Sequence, residues 1–403
     1  MKPAGRIAIL HYTAAPAIGG IENLIEAQLG ALLGLGVDVR LIVGEGDEPV
    51  AAELCRLPEL HPSHPQVICA RENMSGIVPL PDHPLVETIC RRLQDALRGC
   101  GQCWVHNAFS VYLNPFLTVA LLQLTRELPH IRWVAWSSDL SAVSAYWPSL
   151  TESERERLCK VQPGVTYVTL SRARRAELAR LLALDEHEIR VIAPPLDADD
   201  WLDVGPEVRE IAARLNLPSA QPIILVPAKL LAHKNLELAV RLGAALQHLG
   251  PQPLVLLTGA PSPHDPEASD GVRQNLRRLV EEAGATDAFC LLPDLIGKVP
   301  ERKTVRDLML LSDLVFLPSA EEGFGTPLRE AAALRTPVLC SDIPPFREAS
   351  GSYAQYFSPN ATPDSIALQA IQIAELPVNQ TRREAIQSYR KFCLQLQELG
   401  LQC

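Results

Sequence analysis

Two doubly wound α/β domains, each a parallel sheet covered by helices on both faces, are the fold class this sequence predicts, and three observations predict it. Apolar runs of strand length alternate with helix-spaced segments along almost the whole chain. The strand segments are apolar throughout, as strands buried on both faces are. The alternation breaks once, at APPLDADDWLD around residues 193–203, where two prolines and an acidic cluster read as a linker. At 403 residues, and with roughly 100–200 residues per domain, two domains is the expected count.

In the first half, RIAILHY is a strand, TAAPAIGG a loop, IENLIEAQLGALLGLG a helix and VDVRLIV the next strand. There follow the helix PLVETICRRLQDALR, the strand QCWVHNA, the helix YLNPFLTVALLQLTREL and the strand RWVAWSS. VTYVTLS and the basic helix RARRAELARLLA close this half. The second half reads as the strands QPIILVPA, PLVLLTGA, FCLLPDL, VRDLMLLS, DLVFLPS and TPVLCSD, with helices HKNLELAVRLGAALQHLG, VRQNLRRLVEEAG and one after GFGT. The boundaries predicted are 1–195 for the first domain, 196–378 for the second, and 379–403 for a terminal helix packing back toward the first. Doubly wound sheets bind ligands at the C-terminal ends of their strands, so the two domains are expected to face one central cleft.

Composition narrows the function. A hydrophobic fraction of 47% with 21% charged residues is that of a globular protein. A net charge of −10 argues against a nucleic-acid partner, which needs clustered Lys and Arg. No run reaches the ~18–20 apolar residues of a bilayer span, and the N-terminus enters a strand without a cleavable signal, so a cytoplasmic protein with no integral membrane span is expected. Ten scattered cysteines fit reduced thiols. The Cys100/Cys103 pair runs into a strand, not the helix N-terminus that redox CxxC motifs use.

The stretch SAEEGFGTPLREAAALRTPVLCSD carries the chemistry. DLVFLPS before it is a buried strand; Thr326 suits an N-cap, Pro327 the first helical position, and Gly323 and Gly325 allow positive φ and close approach of a ligand. A helix N-terminus with unpaired N–H groups is an anion site. Glu322 precedes the glycines and Glu330 lies one turn into the helix. Alone, each carboxylate is as readily a solvated loop residue or a helix-dipole partner.

With seven residues between Glu322 and Glu330, this stretch resembles the signature of retaining nucleotide-sugar glycosyltransferases of the GT-B fold, family 4. The resemblance implies two Rossmann-like domains and transfer of a hexose from a nucleotide sugar to a hydroxyl acceptor, without a metal and with no cofactor beyond the donor itself. By matching position Glu322 contacts the donor sugar and Glu330 its ribose, while the backbone of Gly323, Phe324, Gly325 and Thr326 holds the sugar and outer phosphate. In VPAKLLAHKN, Lys234 matches a diphosphate-binding lysine, and Lys229 stands where the family carries arginine, keeping the charge without the bidentate fork. Gly19 and Gly20 in TAAPAIGGIEN resemble the family's N-terminal glycine loop, which meets the diphosphate.

Departures are as informative. Where the family often has His-Asp near the sugar, this chain has Ser138 and Asp139. His106, ending the preceding strand, could supply the missing imidazole or be a structural residue. The pair Asp197 and Asp199 invites a metal reading, rejected because it falls in the linker. Composition and the absence of a basic amphipathic helix favour a soluble or oligosaccharide acceptor. Two alternatives stay open: a non-catalytic nucleotide-sugar-binding subunit, and a nicotinamide-dependent oxidoreductase. For the latter Glu45 sits where a ribose-binding acid would, but the G-x-G-x-x-G fingerprint is missing.

Overall fold

The computed structural model describes residues 5–17, 19–47, 52–74, 79, 81–141, 150–196, 201–250, 252–262 and 265–399. It divides into two compact units, residues 1–195 with 388–403, and residues 196–387. Each is a doubly wound parallel α/β unit of Rossmann-like topology.

Among the described residues the first unit holds seven strands: β1 (Arg6–Thr13), β2 (Val39–Glu45), β3 (Glu53–Arg56), β4 (Cys100–His106), β5 (Arg132–Trp136), β6 (Val165–Thr169) and β7 (Ile189–Val191). They lie in the order β3-β2-β1-β4-β5-β6-β7, all neighbours parallel. Strand β1 shows why its sequence is continuously apolar. Ala8 and Leu10 point into one core with Leu85, Leu93 and Phe116, whereas Ile7 and Ile9 point into the opposite one with Leu24 and Leu32. Burying such side chains contributes roughly 1.5–3 kcal/mol each. The helix Pro377–Glu398 crosses from one unit's sequence into the other's, and its Phe392 and Leu396 complete the second of these cores. Gln395 Nε2 donates to Val191 O at 3.2 Å and an Arg190 guanidinium N–H to Glu398 O at 2.7 Å.

The second unit holds β8 (Ile223–Val226), β9 (Leu254–Leu257), β10 (Phe289–Leu291), β11 (Leu314–Leu317), β12 (Val338–Ser341) and β13 (Gln355–Phe357), in the order β10-β9-β8-β11-β12-β13. In both units the order reverses between the first strand and a later neighbour, β1/β4 and β8/β11. Crevices that bind ligands open at such switch points.

Two expectations need correction. VRDLMLLS is not a strand: it lies in the helix Arg302–Leu311, where Val305, Leu308 and Met309 keep helical spacing and pack on one face. FCLLPDL is a strand only over Phe289–Leu291, because Pro293 opens the short helix Leu292–Ile296. Strands β3, β7 and β13 were not expected. Among the described residues no helix is long and apolar enough to cross a membrane.

Candidate active site

In the second unit the switch point brings two loops together. After β8, Ala228 O accepts from Gly259 N at 3.1 Å and from Thr258 Oγ1 at 3.2 Å, and Leu230 N donates to Ala260 O at 2.8 Å. The loop then makes a single 3₁₀ turn, Ala232–Lys234, and Asn235 at φ 51° redirects it into the helix Leu236–Gln247. This fixes the backbone that carries Lys234. After β11, Ala320 N donates to His233 O at 2.8 Å, tying the second loop to the first.

The tie aligns the charged pair. Lys234 Nζ lies 2.5 Å from Glu322 Oε1, and Ser319 Oγ donates to the same oxygen at 3.0 Å. The Lys234 and Glu322 side chains are 17% and 14% exposed, shielded from water yet reachable. The next residues turn into the helix Thr326–Ala333, whose N-cap is Gly325 at φ 88° with no side-chain cap. Thr326 is therefore the first helical residue and not the cap: the left-handed Gly325 makes the turn one residue earlier than expected. Positive φ is required at Gly325 alone; Gly323 has ordinary φ and open space around its Cα. Phe324 is 41% exposed, with the Arg329 guanidinium 4.5 Å from its ring centre. Glu330 pairs with Arg302 at 3.3 Å, and Lys229 is exposed on the first loop, its backbone bridged to Ala260.

The first unit has its own cluster at β1/β4. Gly19 is the extended N-cap of the helix Gly20–Gly34. The Glu22 carboxylate folds back beneath it, so that a Cβ at this position would stand 2.2 Å from Glu22 Oε2, the movable end of that side chain. Thr13 Oγ1 donates to Glu22 Oε1 at 2.5 Å, and His11 Nε2 is 3.8 Å from that oxygen. Gly20 is unobstructed.

His106 is corrected from a candidate catalytic group to a core residue. It is 0% exposed, stacked on Trp136 at 5.6 Å, with Nε2 2.8 Å from Gln28 Oε1. Ser138 is buried too and offers no substitute imidazole. Asp139 is exposed, and the residue that holds it is Asn107, at φ 58°. Asn107 Nδ2 donates to Asp139 Oδ2 at 3.0 Å, while its Oδ1 accepts from the backbone N–H groups of Ser138 and Asp139 at 3.0 and 3.1 Å. Asp197 and Asp199 lie outside the described residues.

Burial pushes both His11 and His106 below the ordinary imidazole value of 6.5, partly offset for His11 by the His106 carbonyl and by Glu22 and Asp139. A depressed folded-state pKa means the unfolded chain takes up protons first, so stability held above pH ~6.5 is lost as pH falls. Each histidine contributes a slope of up to about 1.4 kcal/mol per pH unit. Urea midpoints are expected to fall between pH 7.5 and 5.5; an unchanged midpoint contradicts the neutral burial of these rings.

Residues 207–392 match the family model described as glycosyl transferases group 1. This segment is similar to the group 1 glycosyltransferases. Over 180 residues the chain is 29% identical to a D-inositol 3-phosphate glycosyltransferase of Xylanimonas cellulosilytica, covering 44% of this chain and 40% of that protein. Over 242 residues it is 28% identical to a protein of the same name from Corynebacterium urealyticum, covering 58% and 55%. The chain thus spans about half the length, or less, of these curated relatives. A glycosyltransferase structure from Rickettsia africae ESF-5 aligns with 100% of this chain and 96% of its own at 15% identity, with a TM-score of 0.37, too distant to place any side chain.

The matched segment contains every second-unit residue singled out from the sequence: Lys229, Lys234, Glu322, Gly323 to Thr326, and Glu330. Fixed positive charge, a helix start and a carboxylate at one switch point can together hold an anion and a hydroxyl-rich neighbour. Ser319, Asn107, Glu22 and His11 were not singled out. The signal for Asn107 was its position directly after a buried parallel strand; Ser319 gave none beyond its place at a strand end.

Proposed function

We propose that this chain is a retaining, metal-independent glycosyltransferase that moves a hexose from a nucleotide sugar to the hydroxyl of a soluble or oligosaccharide acceptor. The observation that carries the reading is the meeting of Lys234 and Glu322 at the β8/β11 switch point, directly before the uncapped helix at Gly325.

Cleaving the bond between the anomeric carbon and the diphosphate oxygen puts negative charge on the leaving phosphate and positive character on the sugar. Lys234, Lys229 and the helix N-terminus receive that charge, a role that well-placed donors fill at roughly 2.7–4 kcal/mol per contact in a closed site. The acceptor oxygen attacks the face from which the diphosphate departs, which retains configuration, and its proton passes to the leaving phosphate. No protein base is then obligatory, consistent with a serine at 138 and a buried imidazole at 106.

Glu330 has the ribose to bind. Its present partner, Arg302, is 92% exposed, and a pair of that kind is worth at most about 1 kcal/mol, so the carboxylate is readily released to a diol. Glu330→Ala is expected to weaken nucleotide binding by about tenfold or more with unchanged thermal stability. Nucleotide affinity equal to wild type would remove Glu330 from the site.

A further inference from the structure

Glu322 Oε1 has two donors, the Lys234 ammonium and the Ser319 hydroxyl, and only one of them is free to leave. On the donor reading above, on which this inference rests, an arriving diphosphate draws Lys234 away. Ser319 is 3% exposed, two residues past the end of β11, and within a turn whose Ala320 N–H is bonded to His233 O. A shielded carboxylate deprived of its ammonium rotates toward water unless another donor retains it. We propose that Ser319 is the positioning residue that keeps Glu322 aimed at the donor sugar once Lys234 has transferred to the diphosphate. The ligand-free Lys234–Glu322 contact is then a stand-by pairing: each group neutralises the other until the donor's phosphate and sugar claim them separately.

This predicts a split between two ligands that share one diphosphate. Ser319 serves the sugar, whereas the phosphates are held by Lys234 and the backbone around Gly325. Isothermal titration of the full chain with uridine, guanosine and adenosine diphosphates, and with their hexose conjugates, measures the two separately. Ser319→Ala is expected to weaken the nucleotide sugar about tenfold while leaving the matching diphosphate within about twofold of wild type, and Ser319→Thr, which keeps the hydroxyl, to restore the sugar. Should Ser319→Ala not fold, Ser319→Cys, a weak donor of similar size, is read the same way. Equal weakening of both ligands would assign Ser319 to shaping the turn and overturn the inference, as would no change in either. Wild-type protein that binds diphosphate but gains nothing from the sugar would overturn it while sparing the diphosphate site. Binding of neither ligand by wild type would remove the donor reading itself, and this inference with it.

Discussion

Lys234→Ala is expected to lower kcat/KM for glycosyl transfer by about 10²–10³-fold, the loss associated with deleting one preorganised donor from a site where charge develops. The size of the effect follows from geometry. Lys234 is held by a 3₁₀ turn and the left-handed Asn235, and by a backbone tie between its loop and that of Glu322, so its ammonium is preorganised. Removing the ammonium also leaves Glu322 with Ser319 as its remaining donor. Part of the loss should therefore appear in both nucleotide affinity and kcat, whereas Lys234→Arg, which keeps charge but changes its shape, should retain an intermediate activity. Steady-state kinetics with circular dichroism as a fold control measures this. Activity within threefold of wild type in a folded Lys234→Ala protein contradicts the role.

Gly325→Ala is expected to have the largest effect on stability. The left-handed φ of 88° costs a non-glycine residue roughly 1–3 kcal/mol. The new Cβ would also stand 2.8 Å from two ring carbons of Phe346, itself wholly buried in the core behind the helix. Phe346 cannot withdraw, so overpacking adds roughly another 1–3 kcal/mol. The expected outcome is a fall of about 2–6 kcal/mol in unfolding free energy, accompanied by lost nucleotide binding as the helix start shifts. Gly323→Ala is the contrast: ordinary φ and no atom within 4 Å of its Cβ predict unchanged stability. Similar denaturant midpoints for the two variants would show that the turn is not held as described.

Much of this was legible from residue patterns, and the misses have physical causes. Strands β8 and β11 are continuously apolar, and β1 and β4 carry apolar runs at Ile7–Leu10 and Cys103–Val105, so the sheets, the tandem arrangement and the loops bearing Lys234 and Glu322 could all be read. The edge strands escaped for a different reason. β3 (ELCR), β7 (IRV) and β13 (QYF) are three or four residues long, and each is half-exposed or contains a charged or polar residue. Their extended form is set by pairing with a longer neighbour, a tertiary effect that local sequence does not carry. VRDLMLLS misled through composition: five apolar residues in eight look like a strand until their spacing is checked.

At the candidate site, residue types were legible but their surroundings were not. A histidine at the end of a buried strand reads alike whether it faces solvent or core, and the Trp136 ring and Gln28 amide that enclose His106 come from distant segments. Asn107 hides for the same reason. Its two-sided grip on residues 138 and 139 exists only because β4 and β5 are neighbours. Ser319 and Glu322 are three residues apart, yet only the ammonium brought by Lys234 gives their contact a chemical meaning.

The central claim, that an ammonium and a helix start grip a nucleoside diphosphate in place of a divalent ion, is tested most directly by calorimetric titration of diphosphates in excess EDTA. Wild type is expected to bind one of the uridine, guanosine or adenosine diphosphates with undiminished affinity, and Lys234→Ala to lose it. Binding that appears only when magnesium or manganese is restored, or that is indifferent to Lys234, would contradict the account.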